Sequence, residues 1–438
     1  MTKPVGKNGE LVPKLRFPGF RGGLGWECEP MGEVYSFKGN NSLSREKLNY
    51  EHGSVRNIHY GDIHSKYSAL FDITKERVPF INPIEDLEGY KAENYCLEGD
   101  MIFADASEDL GDIGKCIEII RINEERVVSG LHTILARQII ARLEVGFGGH
   151  LFKSKWVRAQ IQNEAQGTKV LGLSAGRFAK VKITFPSSKA EQRKIANCLG
   201  LLDDLIEAEH QRLDALKVHK KGLIEQIFPR EAEAVPRLRF LEFRSASEWD
   251  TRKLATFVAE RNQPSGGELP LFSLTIEDGV TPKTERYERS FLVKDEEDAY
   301  KAVLPNDFVL NPMNLRFGAI GRRAGATGVA VSKYYNVFYC DRTVEPRFFE
   351  ILLRSDRMIA FYDKMAAGSL VEKKRIHFKD FLGFEFRLPL LPEQNTIADC
   401  LCSLNDLISS QCDKVATLQT YKKGLMQQLF PSLVKIEP

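Results

Sequence analysis

The sequence predicts an α/β protein built as a repeat: two mixed α/β domains, each followed by a long helix, the helices pairing as an antiparallel coiled coil with internal pseudo-twofold symmetry. Three observations lead there. The stretch EQRKIANCLGLLDDLIEAEHQRLDALKVHKKGLIEQIFP, residues 191–229, returns as EQNTIADCLCSLNDLISSQCDKVATLQTYKKGLMQQLFP at 393–431, ungapped at a constant offset of 202, with 18 of 39 positions identical. Both copies space their apolar residues by alternating steps of four and three. Ahead of each copy, short apolar runs alternate with Gly, Asn and Asp turns.

The elements follow in order. PKLRFPGF, starting at Pro13, is answered by PRLRFLEF at Pro236, and Trp26 by Trp249, all at an offset of 223. GDIGK at Gly111 is answered more faintly by GAIGR at Gly318, and VSGLHTIL by VSKYYNVF, at offsets of 207 and 203. The second half therefore lost most of its residues between the Trp and the glycine turn. A period this long marks duplicated domains rather than a solenoid. Runs such as CLEGDMIFADA, KVKITFP, NDFVLNP and FLGFEFRLP predict strands, with LFKSKWVRAQIQ and FFEILLRSDRMIAFYDKM as helices packed on them. The expected organisation is a domain at 1–186, a helix at 187–229, a linker and lead-in at 230–248, a second domain at 249–389, a second helix at 390–431 and a tail at 432–438.

The first long helix places Ile195, Leu199, Leu202, Ile206, Leu213, Leu216, Leu223 and Ile227 on one seam, with Glu209 and Lys220 as its polar members. The second repeats the register with Ile397, Leu401, Leu404, Ile408, Val415, Leu418, Leu425 and Leu429, leaving Gln411 and Lys422. A sustained 3.5-residue period is a coiled-coil seam, and each run would span roughly 60 Å at 1.5 Å per residue. Seven basic and seven acidic side chains between Lys189 and Glu225 leave the first rod neutral, a poor phosphate clamp. The rod is a spacer, or a spacer that also docks proteins; the near-identical ends KKGLIEQIFP and KKGLMQQLFP favour two copies of one partner.

Composition narrows the function. At 438 residues and 43% apolar content the chain can fill two or three cores. A formal charge of +2 and a pI near 8.0 give no global basic field, so a nucleic-acid surface must be local. No apolar run reaches membrane-spanning length and MTKPVGKNGELVPKLRF lacks a signal-type apolar core, so a cytoplasmic location is expected. Eight cysteines without a CxxC pair read as reduced thiols.

The turns and loops of the two domains carry the side chains suited to DNA. SVRNIHYGDIHSKY and AQGTKVLGLSAGRF in the first half offer Arg56, His59, Lys66, Tyr67, Lys169 and Arg177. GVTPKTERYERSF, NPMNLRFGAIGRR and GSLVEKKRIHF in the second offer Lys283, Arg286, Tyr287, Asn314, Arg316, Arg322, Lys373, Lys374 and Arg375. Arg, Lys and Asn contact base edges or phosphates, and Tyr or His stacks or hydrogen-bonds. No phosphate-binding loop, dinucleotide fingerprint, HExxH or amino-methyltransferase motif is present, and the eight histidines show no metal spacing. The acidic-x-Lys triplet in VEKKR lacks the Pro-Asp signal of a nuclease site. No catalytic or metal residue is expected.

With its two variable domains alternating with two near-identical helices, its PKLRFPGF and PRLRFLEF lead-ins before a Trp, and its EQ…KKGLIEQIFP and EQ…KKGLMQQLFP tails, the chain resembles the specificity subunit of type I restriction-modification enzymes. The resemblance covers essentially the whole sequence. It implies that each variable half is a target recognition domain reading one part of a split double-stranded DNA site. The helices would fix the spacing and bind two methyltransferase subunits, which restriction subunits join. It also implies no cofactor in this chain: S-adenosylmethionine would sit in the methyltransferase, ATP and magnesium in the restriction subunit. The unequal lengths of the halves leave the base-reading loops open. Competing readings are a free-standing DNA nuclease or modification enzyme, a specificity-like subunit of another phage-defence system, and a coiled-coil assembly protein without nucleic acid.

Overall fold

The computed structural model describes residues 11–85, 90–230, 233–266, 269–283, 300–368 and 374–431. The chain divides into two compact units, one running to His210 and resuming at Asp413, the other spanning Gln211–Cys412. Each unit therefore holds the beginning of one long helix and the end of the other.

In the first unit a five-stranded sheet runs in the order Tyr35–Lys38, Thr133–Gln138, Met101–Ala104, Cys116–Arg121, Leu70–Asp72. All its pairs are antiparallel except the last. Met101–Ala104 is buried on both faces, as its unbroken apolar run requires. Phe103 on that strand packs edge-on against Phe152 and Phe178, with centroids 4.8 and 4.4 Å away. The second unit repeats the arrangement in four antiparallel strands, Val258–Glu260, Asn336–Cys340, Phe308–Leu310 and Ile320–Arg322. The turn before the third strand in each unit needs a left-handed residue, supplied by Gly99 (φ 87°) in one and Asn306 (φ 69°) in the other.

Both units are closed by the same device. The strand after the Trp pairs antiparallel with the strand leading into a long helix: Glu27 faces Phe185, and Asp250 faces Leu388. Arg16 donates two 2.7 Å hydrogen bonds to Glu191, which also accepts from the Trp26 indole at 3.4 Å. Arg239 makes the same fork to Glu393 at 2.8 and 2.7 Å, and the Trp249 indole donates to it at 3.3 Å. Both carboxylates are 1% exposed, so the bidentate, charge-assisted geometry compensates their burial. The following Gln192 and Gln394 amides donate to Pro186 O (2.7 Å) and Pro389 O (2.8 Å).

The long helices run Lys189–Ile227 and Leu391–Leu429. Pro229 and Pro431, which cannot continue a helix, follow their ends. Every seam residue named from the sequence is buried or half-buried, the polar Glu209 and Gln411 at 9% and 5% exposure included. Within the first unit Lys414 Nζ lies 2.6 Å from Glu209, Gln419 contacts His210 at 3.1 Å and Lys422 pairs with Asp203. From Lys414–Glu209 to Lys422–Asp203 the number rises on one helix and falls on the other, which makes this pairing antiparallel.

The helix ends act as plugs. Phe430 meets Trp26 and Phe147 at 5.9 and 5.7 Å, and Phe228 meets Trp249 and Phe348 at 6.2 and 5.5 Å. Leu15 N donates to Gln428 O, and Leu238 N to Gln226 O, each at 3.0 Å. The last residues of KKGLIEQIFP and KKGLMQQLFP, the ends read from the sequence as favouring two copies of one partner, thus pack inside the chain.

Candidate nucleic-acid interface

In the first unit SVRNIHYGDIHSKY folds as the strand Arg56–Ile58 and the short helix Tyr60–Ser65. His59 caps that helix, its Nδ1 accepting from Gly61 N at 3.1 Å. Burial, then the nearby Arg45 cation, lowers its pKa below the usual histidine value. Tyr60 lies at the centre of a ring cluster, with His59 at 4.7 Å, His132 at 5.3 Å and His64 at 5.9 Å.

Cations flank this cluster. Arg45 forks onto the buried Asp62 at 2.7 and 3.0 Å, and Lys66 reaches the same carboxylate at 2.8 Å. Burial alone would raise the Asp62 carboxyl; the Arg45 and Lys66 hydrogen bonds hold it below the usual range. Lys66 also donates to the Tyr50 hydroxyl at 3.1 Å, and the Arg77 guanidinium lies 4.8 Å from the Tyr50 ring. Interleaved aromatic faces and cations are what a nucleic-acid surface requires.

The second candidate loop of this unit joins the same edge. Leu171–Gly172 pairs with Ala106–Ser107, Leu173 N donates to Asp105 O at 2.9 Å, and His64 Nε2 lies 3.1 Å from Ala106 O. Lys169 is exposed in the turn between Gln166 and Gly172, and Arg177 sits 3.5 Å from Glu164. Two other candidates serve the fold. Arg56 pairs with Glu125 and covers the Phe80 ring at 4.1 Å. Tyr67 packs on Phe71 at 5.2 Å with its hydroxyl buried and unbonded, and burial drives its pKa well up.

The second unit uses the equivalent edge. Ile376 N donates to Pro312 O at 3.1 Å, as Leu173 does to Asp105, and Arg375 bridges Ala367 as Gly172 bridges Gln166. Asn314 and Arg375 are exposed there, with Lys374 half-buried. Arg316 stacks on Phe317 at 4.3 Å and pairs with Asp363 at 3.6 Å. Arg322 is held by Glu350 and Asn306 at 3.1 and 2.7 Å and is 11% exposed, a scaffold position. Lys283 is half-buried after the strand Gly279–Pro282. Arg286, Tyr287 and Lys373 lie outside the described residues.

Sequence reasoning missed Arg45, Tyr50 and Arg77, which have no local motif, and passed over Tyr60 inside SVRNIHYGDIHSKY and His132 inside VSGLHTIL; the fold brings them together. Among the described residues, no group of His, Cys, Asp or Glu could hold a metal and no helix is long and apolar enough to cross a membrane. None of the eight cysteines is in a disulfide.

Comparison with known proteins agrees with this architecture. Residues 24–218 match the family model for the type I restriction modification DNA specificity domain. A Methanocaldococcus jannaschii protein described as a type I restriction enzyme (MjaX) specificity subunit is 23% identical over 439 residues, 94% of each chain. The MjaVIII specificity subunit of that organism is 21% identical over 309 residues, 66% of this chain and 70% of that one. The S subunit of the M. genitalium type I restriction-modification system has a TM-score of 0.57 at 12% identity, covering 97% of this chain and 100% of that one. A chain from a structure of type I system assembly and conformational transition gives 0.55 at 14% identity, covering 93% and 98%. The fold is thus that of the solved type I restriction-modification S subunit, and the chain is similar in sequence over nearly its whole length to a protein described as a type I restriction enzyme specificity subunit. The resemblance read from the sequence motifs holds over the length of the chain.

Proposed function

We propose that this chain is the non-catalytic subunit that gives a type I restriction-modification complex its DNA address. Each unit reads one half of an asymmetric bipartite double-stranded site through the edge described above, and the paired helices set the unread spacer. Two methyltransferase subunits dock on the repeated frame for adenine N6 methylation, and restriction subunits complete the complex. Methyl transfer, translocation and cleavage lie in those partners, with S-adenosylmethionine, ATP and magnesium held there.

The observation that carries this reading is the contrast within the repeat. The Arg–Glu–Trp closure and the Phe-Pro plug recur contact for contact, whereas the loops on the equivalent edges share almost no residues. One frame bearing two different surfaces suits one partner type and two different half-sites. The test is to replace residues 27–185 with the corresponding interior of another specificity subunit of known target and to map N6-methyladenine. One half-site is expected to change while the other stays. Change in both halves, or in neither, would defeat the assignment of one half-site to each unit.

A further inference from the structure

The geometry points to His132, held by Asp105 and backed by Tyr60, as a base-reading side chain of the first unit that accepts a hydrogen bond from a base amino group. This rests on the reading of that unit as a DNA recognition domain and adds a named contact to it.

His132 ends the turn between the strands Val127–Ser129 and Thr133–Gln138 with a left-handed backbone, φ 56°. Residues with a Cβ adopt that conformation at a cost, which glycine avoids. Gly130 lies only two residues earlier, yet the left-handed position carries an imidazole. Strain of this kind persists where surroundings over-determine it, and here Asp105 does so twice. Its backbone N–H donates to His132 O at 3.0 Å, and its carboxylate lies 3.3 Å from the ring Nδ1.

The carboxylate partner assigns the proton of the neutral ring to Nδ1, which leaves Nε2 as an acceptor. Half of the side-chain surface of His132 is exposed. Tyr60 meets the ring edge-on at 5.3 Å, and fixes it against rotation away from Asp105. The charged and titratable groups around it are Asp105, His59 and His64, with Arg45, Lys66 and the Asp62 carboxylate they share beyond. In the major groove an acceptor so placed selects adenine N6 or cytosine N4.

The experiment uses the full chain co-purified with its methyltransferase, wild type and His132→Gly. Glycine suits the left-handed turn, so the variant is expected to unfold at an equal or higher temperature. Its methylation motif should keep one half-site and the spacer and lose discrimination at one A or C position of the other, by about tenfold in competition between duplexes. An unchanged motif with unchanged discrimination would overturn the proposal. So would uniform weakening on all duplexes with a salt slope lowered by about 1, the mark of a phosphate contact. Failure of the underlying reading is separately visible, because the wild-type complex would then methylate no bipartite motif.

Discussion

His150 shows what a single residue costs when the fold buries it. The imidazole is 0% exposed, neither ring nitrogen has a hydrogen-bond partner, and the nearest carboxylate, Asp203, lies 4.0 Å away and is taken by Lys422. Burial, then the Lys422 cation, pushes its pKa down to about 3. The unfolded chain takes up this proton near the ordinary histidine value of about 6.5, so between there and about 3 it binds more protons than the native state. Stability contributed by the neutral ring is present above that window and is lost as pH falls through it, costing about 2 kcal/mol at pH 5. Thermal unfolding midpoints measured from pH 7 to pH 5 should therefore fall, and His150→Phe should flatten the decline; parallel curves would refute the assignment. Nothing around GFGGHLF in the sequence signals this burial, because Asp203 and Lys422 arrive from two helices far along the chain.

At the level of elements, the helices were legible and their attachments were not. Seam periodicity is local, so every seam position could be named from one strand of text. The polar seam members are explained only by the partner helix, as with Glu209 and Lys414 at 2.6 Å. PKLRF, Trp and EQ stood out as repeated words, but their meaning required three segments to meet around Glu191 or Glu393. Because Arg16 is 9% exposed in its side chain and forks onto a carboxylate at 1%, removing the acid strands a buried cation. Glu191→Ala and Glu393→Ala should each cost about 3 kcal/mol in denaturant unfolding, more than the Arg16→Met/Glu191→Leu pair, which removes both charges. A single-variant loss below that of the pair would show the closure to be incidental. The edge proposed to face DNA was the least legible, since residues 45–66, 105–107, 132 and 166–173 share no sequence neighbourhood, and Arg56 and Tyr67 have the right chemistry but point into the scaffold.

For the whole molecule, the repeat divides labour between a fixed frame and two free surfaces. Closure, plug and seam account for most of the 18 retained tail positions, and the interior between Trp and helix could diverge because the frame does not depend on its loops. On this account the chain supplies an address, and its signature belongs in the DNA of its host rather than in a reaction of its own. The measurement that bears most directly on that claim is single-molecule sequencing of N6-methyladenine in host DNA with and without the gene. The account predicts the loss of one asymmetric, gapped motif methylated on both strands. An unchanged set of methylated motifs, with the chain and its methyltransferase both shown to be expressed, would contradict it.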